Sequence, residues 1–252
     1  MTTTVPNLVS KERLLSRARK VIPGCSQAFS KGADQFPSSV NPHYLVRGSG
    51  ARVEDADGNS YLDFTMGLCP VILGYADPDV NAAVQEQLAE GTIFTLSHPV
   101  EIELAELLAD TIPCAEMVRY GKNGSDATTG AVRLARAFTR RDRVACCGYH
   151  GWHDWYIGTT TRDLGVPRQV AELTHPFPYD EIEELEQLLN SHPGEFACVI
   201  MEPATISEPS PGYLKAVKDL CQQHGTLLIF DEIVTGFRLA MGGAQELFGV
   251  TP

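Results

Sequence analysis

The sequence predicts an α/β protein in which a mainly parallel sheet is flanked by helices, with a small α+β segment in front. Three observations lead there. From residue 78 onward, segments of helical spacing alternate with short apolar runs, which is the pattern of βαβ units. Before residue 71, short alternating runs bracket an Asp57-Gly58 pair, the mark of a tight antiparallel hairpin. The chain has 252 residues, 43% hydrophobic and 21% charged, a composition able to bury a large core.

Each element follows from local chemistry. Residues 11–22 carry helical spacing and stop at Pro23-Gly24, after which 25–42 is rich in Ser, Gly and Pro and reads as a loop. Short strands are expected at 43–47, 51–54 and 60–64. Helices are expected at 78–90, 100–110, 125–138, 179–190 and 212–224, with strands at 117–120, 144–147, 197–201 and 227–230. The strand spacing fits crossover connections. Residues 1–70 are therefore read as an N-terminal segment, and 71–252 as one large domain with no obvious closing segment at its C-terminal end.

Composition narrows the function. A net charge of −12, from 20 basic against 32 acidic residues, argues against nucleic-acid binding, which needs clustered Lys and Arg. No apolar run reaches the roughly 18 residues that span a bilayer, and the start Met1-Thr2-Thr3-Thr4 lacks the regions of a secretory signal. A cytoplasmic location is the expectation, and the acidic balance says little about a small substrate. The seven cysteines are odd in number and scattered, so they read as reduced core residues.

Four places could carry chemistry. Lys122-Asn123-Gly124-Ser125-Asp126-Ala127 lies between an expected strand and an expected helix. Unpaired N–H groups at a helix start, a glycine for close approach and the Ser125 hydroxyl can hold a phosphate; the same residues also read as a plain N-cap. Tyr149 and His150 follow the strand 144–147, and Tyr149 offers a flat face to an aromatic ring, or packs as a loop aromatic. His150 and His153 make only a weak metal pair, because Gly151 intervenes and no third ligand is near; no metal is expected. Glu202 ends the run 199–201 and is kept out of helical geometry by Pro203; it also reads as an ordinary strand-ending charge. Asp231 ends 227–230, at the sheet edge where open α/β sheets bind ligands. It could face a protonated pyridine nitrogen, or serve as a turn cap followed by a solvated Glu232. Phosphate cradle, aromatic, Glu and Asp thus fall in order on four successive strand ends, which a single ligand shaped like pyridoxal 5'-phosphate (PLP) explains.

At this point a family resemblance enters. Asn123-Gly124-Ser125-Asp126-Ala127 resembles the Ser-Gly-Thr-Glu-Ala phosphate loop of class III aminotransferases, and Tyr149-His150-Gly151 their Tyr-His-Gly ring-stacking motif. Residues 231–238, Asp-Glu-Ile-Val-Thr-Gly-Phe-Arg, are similar to their Asp-Glu-Val-x-x-Gly-Phe-Arg signature. The flanks Ile22-Pro23-Gly24, Leu73-Gly74-Tyr75-Ala76 and Gly242-Gly243-Ala244-Gln245 resemble the glutamate-1-semialdehyde aminomutase branch. The resemblance implies the PLP-dependent transferase fold of type I, a PLP cofactor, amino-group transfer on small amino donors and acceptors, and a homodimer. It implies that Gly124 and Ser125 hold the phosphate and that Asp231 pairs with the ring nitrogen. Tyr149, with His150 in its motif, would stack on the ring, Ile233 would pack on the other face, and Glu202 would match the active-site Glu-Pro.

Two departures accompany it. The aminomutase pattern Pro-Gly-Gly-Val-Asn-Ser-Pro-Val-Arg is replaced by Pro23-Gly24-Cys25-Ser26-Gln27-Ala28-Phe29-Ser30-Lys31, so the substrate is open. In the family, the equivalent of Gly249-Val250-Thr251-Pro252 runs on to a Gly-Lys. The six lysines here are Lys11, Lys20, Lys31, Lys122, Lys215 and Lys218, none placed to serve. The Schiff-base lysine is thus expected just beyond Pro252, and residues 1–252 alone are expected to be inactive, with a lysine-free PLP-binding or structural subunit as the alternative.

Overall fold

The computed structural model describes residues 10–35 and 42–252. Part of the expected loop at 25–42 therefore lies outside the described residues. The chain forms two compact units, residues 1–95 and 96–252. In the first, helix α1 (Lys11–Val21) stops before Pro23. Strands β1 (Leu45–Ser49), β2 (Arg52–Asp55) and β3 (Ser60–Leu62) form an antiparallel meander, with Gly58 at φ 88° in the β2–β3 turn. Helix α2 (Pro78–Glu90) also belongs to this unit; Asp77 caps it by accepting the Asp79 and Val80 N–H groups.

The meander contains a buried carboxylate. Asp55 Oδ1 accepts the N–H groups of Asp57 and Asn59 at 2.9 and 2.8 Å, and Oδ2 accepts the Tyr61 hydroxyl at 2.8 Å. Burial alone would raise its pKa, but these donors and the Asn59 amide outweigh it and bring the carboxyl from 3.8 to about 2. A depressed folded pKa stabilises the fold above the unfolded value and loses that contribution as pH falls through the folded one. The first unit is therefore expected to lose stability between pH 3.8 and about 2. Denaturant midpoints above and below this window should show the step, and Asp55→Asn should abolish it.

The second unit carries the parallel sheet. Its strands β4 (Arg143–Cys147), β5 (Thr174–Pro176), β6 (Phe196–Met201) and β7 (Leu227–Phe230) lie in the order β5-β4-β6-β7, every pair parallel. Period two splits their side chains between two cores. Ala145, Cys147, Val199 and Met201 pack with α7 (Ile182–Ser191) and α8 (Tyr213–Gln223) through Leu185, Leu189, Val217 and Cys221. Val144, Cys146, Cys198 and Ile200 pack with α4 (Gly124–Thr139) and the short α5 (Asp154–Ile157) through Val132, Ala135, Trp155 and Tyr156. The remaining helices are α3 (Pro99–Thr111), α6 (Arg168–Ala171) and α9 (Gly243–Phe248). No helix among the described residues is long and apolar enough to cross a membrane.

The parallel sheet flanked by helices and the small antiparallel sheet agree with the expected fold class. Several details differ. Residues 117–120 are not a strand: Met117 is exposed and nothing among the described residues pairs with this run. The strand β5 was unexpected, because three residues ending in Pro176 carry almost no strand signal. Helix α7 starts at Ile182 instead of 179, since Asp180 sits at φ 64°. Strand β7 stands at the end of the described order. Four cysteines are buried and every cysteine is free, but Cys114 is exposed.

Candidate functional site

Strand register brings the candidate side chains together. Cys147 pairs with Met201, and Met201 with Phe230. The ladder then runs one residue further: Glu202 N–H donates to the Cys147 carbonyl at 3.2 Å, and Asp231 N–H to the Met201 carbonyl at 2.8 Å. The residues following β4, β6 and β7 are thus side by side at the C-terminal edge of the sheet. Strand β5 intervenes in sequence between β4 and β6 but lies on the outer side of β4, so the strand ends are neighbours in space without being successive in the chain.

Asp231 is buried, with Oδ2 2.8 Å from His150 Nδ1 and Oδ1 accepting the Ile233 N–H at 3.1 Å. His150 Nε2 lies 3.1 Å from the Cys147 carbonyl oxygen. That oxygen and the Asp231 carboxylate can both only accept, so each ring nitrogen faces an acceptor and is placed to donate. His150 is 1% exposed, stacked on Trp155 at 6.2 Å and edge-on to Tyr156 at 5.3 Å. It therefore stands behind Asp231 and reaches a ligand only through that carboxylate, unlike its neighbour in the motif. Tyr149 is 63% exposed, with its ring edge-on to Tyr156 at 5.6 Å.

Glu202 fixes Tyr149 from below by accepting its N–H at 3.0 Å. Gly148, at φ 111°, permits this contact: a Cβ there would run into the Glu202 carboxylate. Burial pushes the Glu202 carboxyl above its ordinary value and the charge of Asp231 adds to this, while the Tyr149 N–H and His150 pull the other way. Beside it lies a cavity of about 510 Å³ whose lining includes Thr205, Ser207, Val234, Arg238 and Phe248.

At the start of α4, residues 122–127 form the N-cap that their sequence allows. Asn123 is the N-cap, its Oδ1 accepting the Asp126 N–H at 3.0 Å and its carbonyl the Ala127 N–H at 3.2 Å. This leaves the N–H groups of Gly124 and Ser125 without a partner among the described residues. Ser125 Oγ accepts the Trp152 N–H at 3.3 Å, and Thr128 donates to the His150 carbonyl at 2.8 Å, joining α4 to the loop after β4. Ile233 is 59% exposed and leans over the same turn: a Cβ on Gly124 would lie 2.5 Å from Ile233 Cδ1. His153 goes elsewhere, with Nδ1 2.8 Å from Thr129 Oγ1. No group of three metal-ligating side chains occurs among the described residues.

Gly151 makes the join between α4 and the loop possible. It sits at φ 105°, and a Cβ would run into Ser125 Oγ and stand 3.0 Å from the Ser125 Cα. Gly151→Ala combines a left-handed backbone with a backbone collision, so it is expected to cost about 2 kcal/mol or more. A melting curve and a phosphate titration should both respond. Unchanged melting would show that the two segments are not locked together.

Sequence reasoning gave Glu232 no role, and in the turn-cap alternative set it in solvent. Its carboxylate accepts from Thr235 Oγ1 and Ala244 N at 2.7 and 2.6 Å, and from Gln245 N and Nε2 at 3.1 Å each. The available signal was Gly242-Gly243 ahead of a short helical run, a helix start that lacks a capping side chain of its own.

Comparison with known proteins follows the same lines. The family model for class III aminotransferases matches residues 36–252. The 3-aminobutyryl-CoA aminotransferase of Cloacimonas acidaminovorans is 39% identical over 246 residues, which are 95% of this chain and 58% of that protein. A glutamate-1-semialdehyde 2,1-aminomutase of Roseiflexus castenholzii is 40% identical over 252 residues, covering 89% of this chain and 58% of its own. A transaminase solved with PLP bound superimposes with a TM-score of 0.87 at 30% identity, over 96% of this chain and 60% of that one. The chain thus spans roughly three fifths of the length of these relatives. A match over most of the chain, with the predicted motifs assembled at one sheet edge, shows that it belongs to the class III aminotransferase family, whose members are PLP-dependent enzymes.

Proposed function

We propose that this chain binds PLP at the C-terminal edge of its parallel sheet and that the protein, at its natural length, transfers an amino group between small molecules or within one. The observation that carries the reading is Asp231, a carboxylate fixed by His150 at 2.8 Å and set beside an open helix start and an exposed tyrosine. When bound, PLP supplies an electron-accepting ring whose capacity depends on a protonated ring nitrogen.

The chain's own residues suit that group. Gly124 and Ser125 offer N–H donors at the positive end of α4, where a phosphate is favoured. The exposed face of Tyr149 and the side chain of Ile233 supply apolar surface for a flat ring. Asp231 would keep a proton on the ring nitrogen, and His150 and the Ile233 N–H hold the carboxylate in place for it. Glu202 orients the Tyr149 backbone. The cavity beside Glu202 has room for a substrate's remainder, and its mixture of acidic, basic, hydroxyl and apolar groups suits an aminotransferase and an aminomutase alike. The relatives divide the same way at 39% and 40% identity. By analogy with the family, a homodimer is the working assembly.

The test is a PLP titration of the natural-length protein with Gly124 and Ser125 both replaced by valine. The variant is expected to need at least tenfold more PLP for half occupancy, since it loses a hydroxyl and crowds Ile233. An unaltered titration would remove the phosphate site from α4.

A further inference from the structure

We propose that Glu232 is a positioning residue, one that braces the turn after β7 against α9 and so holds Asp231 and Ile233 where PLP needs them; the inference rests on the PLP reading above. Asp231 and Ile233 flank it in sequence and serve the site, one turned to His150 and the other to Gly124. Glu232 reaches the opposite way. Its Oε2 accepts the Thr235 hydroxyl at 2.7 Å and the Ala244 N–H at 2.6 Å, and its Oε1 accepts the Gln245 N–H and side-chain amide, both at 3.1 Å. Four donors on one carboxylate are far more than a solvated strand-ending charge collects.

Two further features show that the contact is built. Gly243 sits at φ 78°, and a Cβ there would run into the Glu232 carboxylate, so a glycine is what lets α9 approach. Gln245 is 5% exposed, and its Oε1 accepts the Cys114 N–H at 3.0 Å. Hydrogen bonds thus run from Glu232 through Gln245 to Cys114, in the segment that leads on to the helix start at Asn123.

Within the turn, Gly236 N–H donates to the Glu232 carbonyl at 2.8 Å and Arg238 N–H to the Thr235 carbonyl at 3.2 Å, closing 232–238 on itself. Glu232 adds the tie from this turn to α9. A misplacement of about 1 Å at a catalytic group can cost roughly a hundredfold in rate, so the side chain that ties the turn to α9 bears directly on how well Asp231 performs.

The brace is tested first without cofactor, by amide hydrogen exchange of Ile233 and Ala244 in the natural-length protein. Glu232→Ala is expected to speed both at least tenfold, Gln245→Ala to speed them less, and the double variant to exceed Glu232→Ala little, because the two act as one unit. Glu232→Gln, which keeps the shape, replaces Glu232→Ala if that variant does not fold. Unchanged exchange at Ile233, or additive effects, overturns the proposal. The second arm reads the absorbance band of bound PLP. Glu232→Ala should shift it in the same direction as Asp231→Ala, and an unshifted band in Glu232→Ala beside a shifted one in Asp231→Ala also overturns the brace. If both variants leave the band alone while Ile233 exchange quickens, the brace stands and the PLP reading falls.

Discussion

Asp231→Ala in the natural-length protein is expected to lower kcat by about two to three orders of magnitude while changing PLP occupancy only a few-fold. The asymmetry follows from where the contacts sit. The donors available to a phosphate, at Gly124 and Ser125, lie on α4, whereas Asp231 follows β7 directly. Losing the carboxylate removes the group that would keep charge on the ring nitrogen, and single preorganised electrostatic contacts of this kind contribute about 10²–10³ in rate. Asp231→Asn keeps the shape without the charge and is expected to fall nearly as far. Single-turnover amino transfer and equilibrium PLP binding, measured side by side, separate the two quantities. Equal losses in both would mean that Asp231 only helps retain the cofactor, and unchanged turnover would remove its role.

How much of this was legible in the sequence depended on whether the signal was local. Helix α2 and strand β7 match their expected bounds at both ends, because Asp77-Pro78 and Gly225 with Asp231 punctuate them within a few residues. The alternation of the two cores along β4 and β6 follows from period two once a parallel sheet is assumed. Residues 117–120 failed for the opposite reason: an apolar run is a strand only if another strand pairs with it, and pairing is not a local property. The site shows the same division. Asp231, Glu202 and Tyr149 could be read as strand-end residues one by one, since the first two follow an apolar run directly and Tyr149 follows one after Gly148. His150 could be grouped with Tyr149 only by adjacency. Its burial behind Asp231, 81 residues away in the chain, depends on the β4-β6-β7 order, which no local pattern encodes. Glu232 was missed for the same reason, since three of its four donors lie 12 and 13 residues downstream at a helix start that lacks a cap of its own.

His150 carries the other large expectation, this time on stability. Its ring is the partner of a carboxylate that is itself only 6% exposed, so His150→Ala leaves Asp231 buried and short of a donor beside a new cavity. Removing one member of a buried ionisable pair typically costs roughly 3–5 kcal/mol, a large share of the 5–15 kcal/mol that holds an average domain together. Two conservative variants separate the contacts. Asparagine can present a donor near the position of Nδ1, toward Asp231, while glutamine reaches the position of Nε2, toward the Cys147 carbonyl. If the Asp231 contact dominates, His150→Asn recovers more of the melting temperature than His150→Gln; if the tether to β4 dominates, the order reverses. The double variant His150→Ala with Asp231→Ala then isolates the stranded charge. It should be more stable than His150→Ala alone, because deleting the carboxylate removes the group whose desolvation is uncompensated. A double variant less stable than either single change would show that the two side chains contribute independently, and that His150 supports the fold by packing on Trp155 and Tyr156 instead of by holding Asp231.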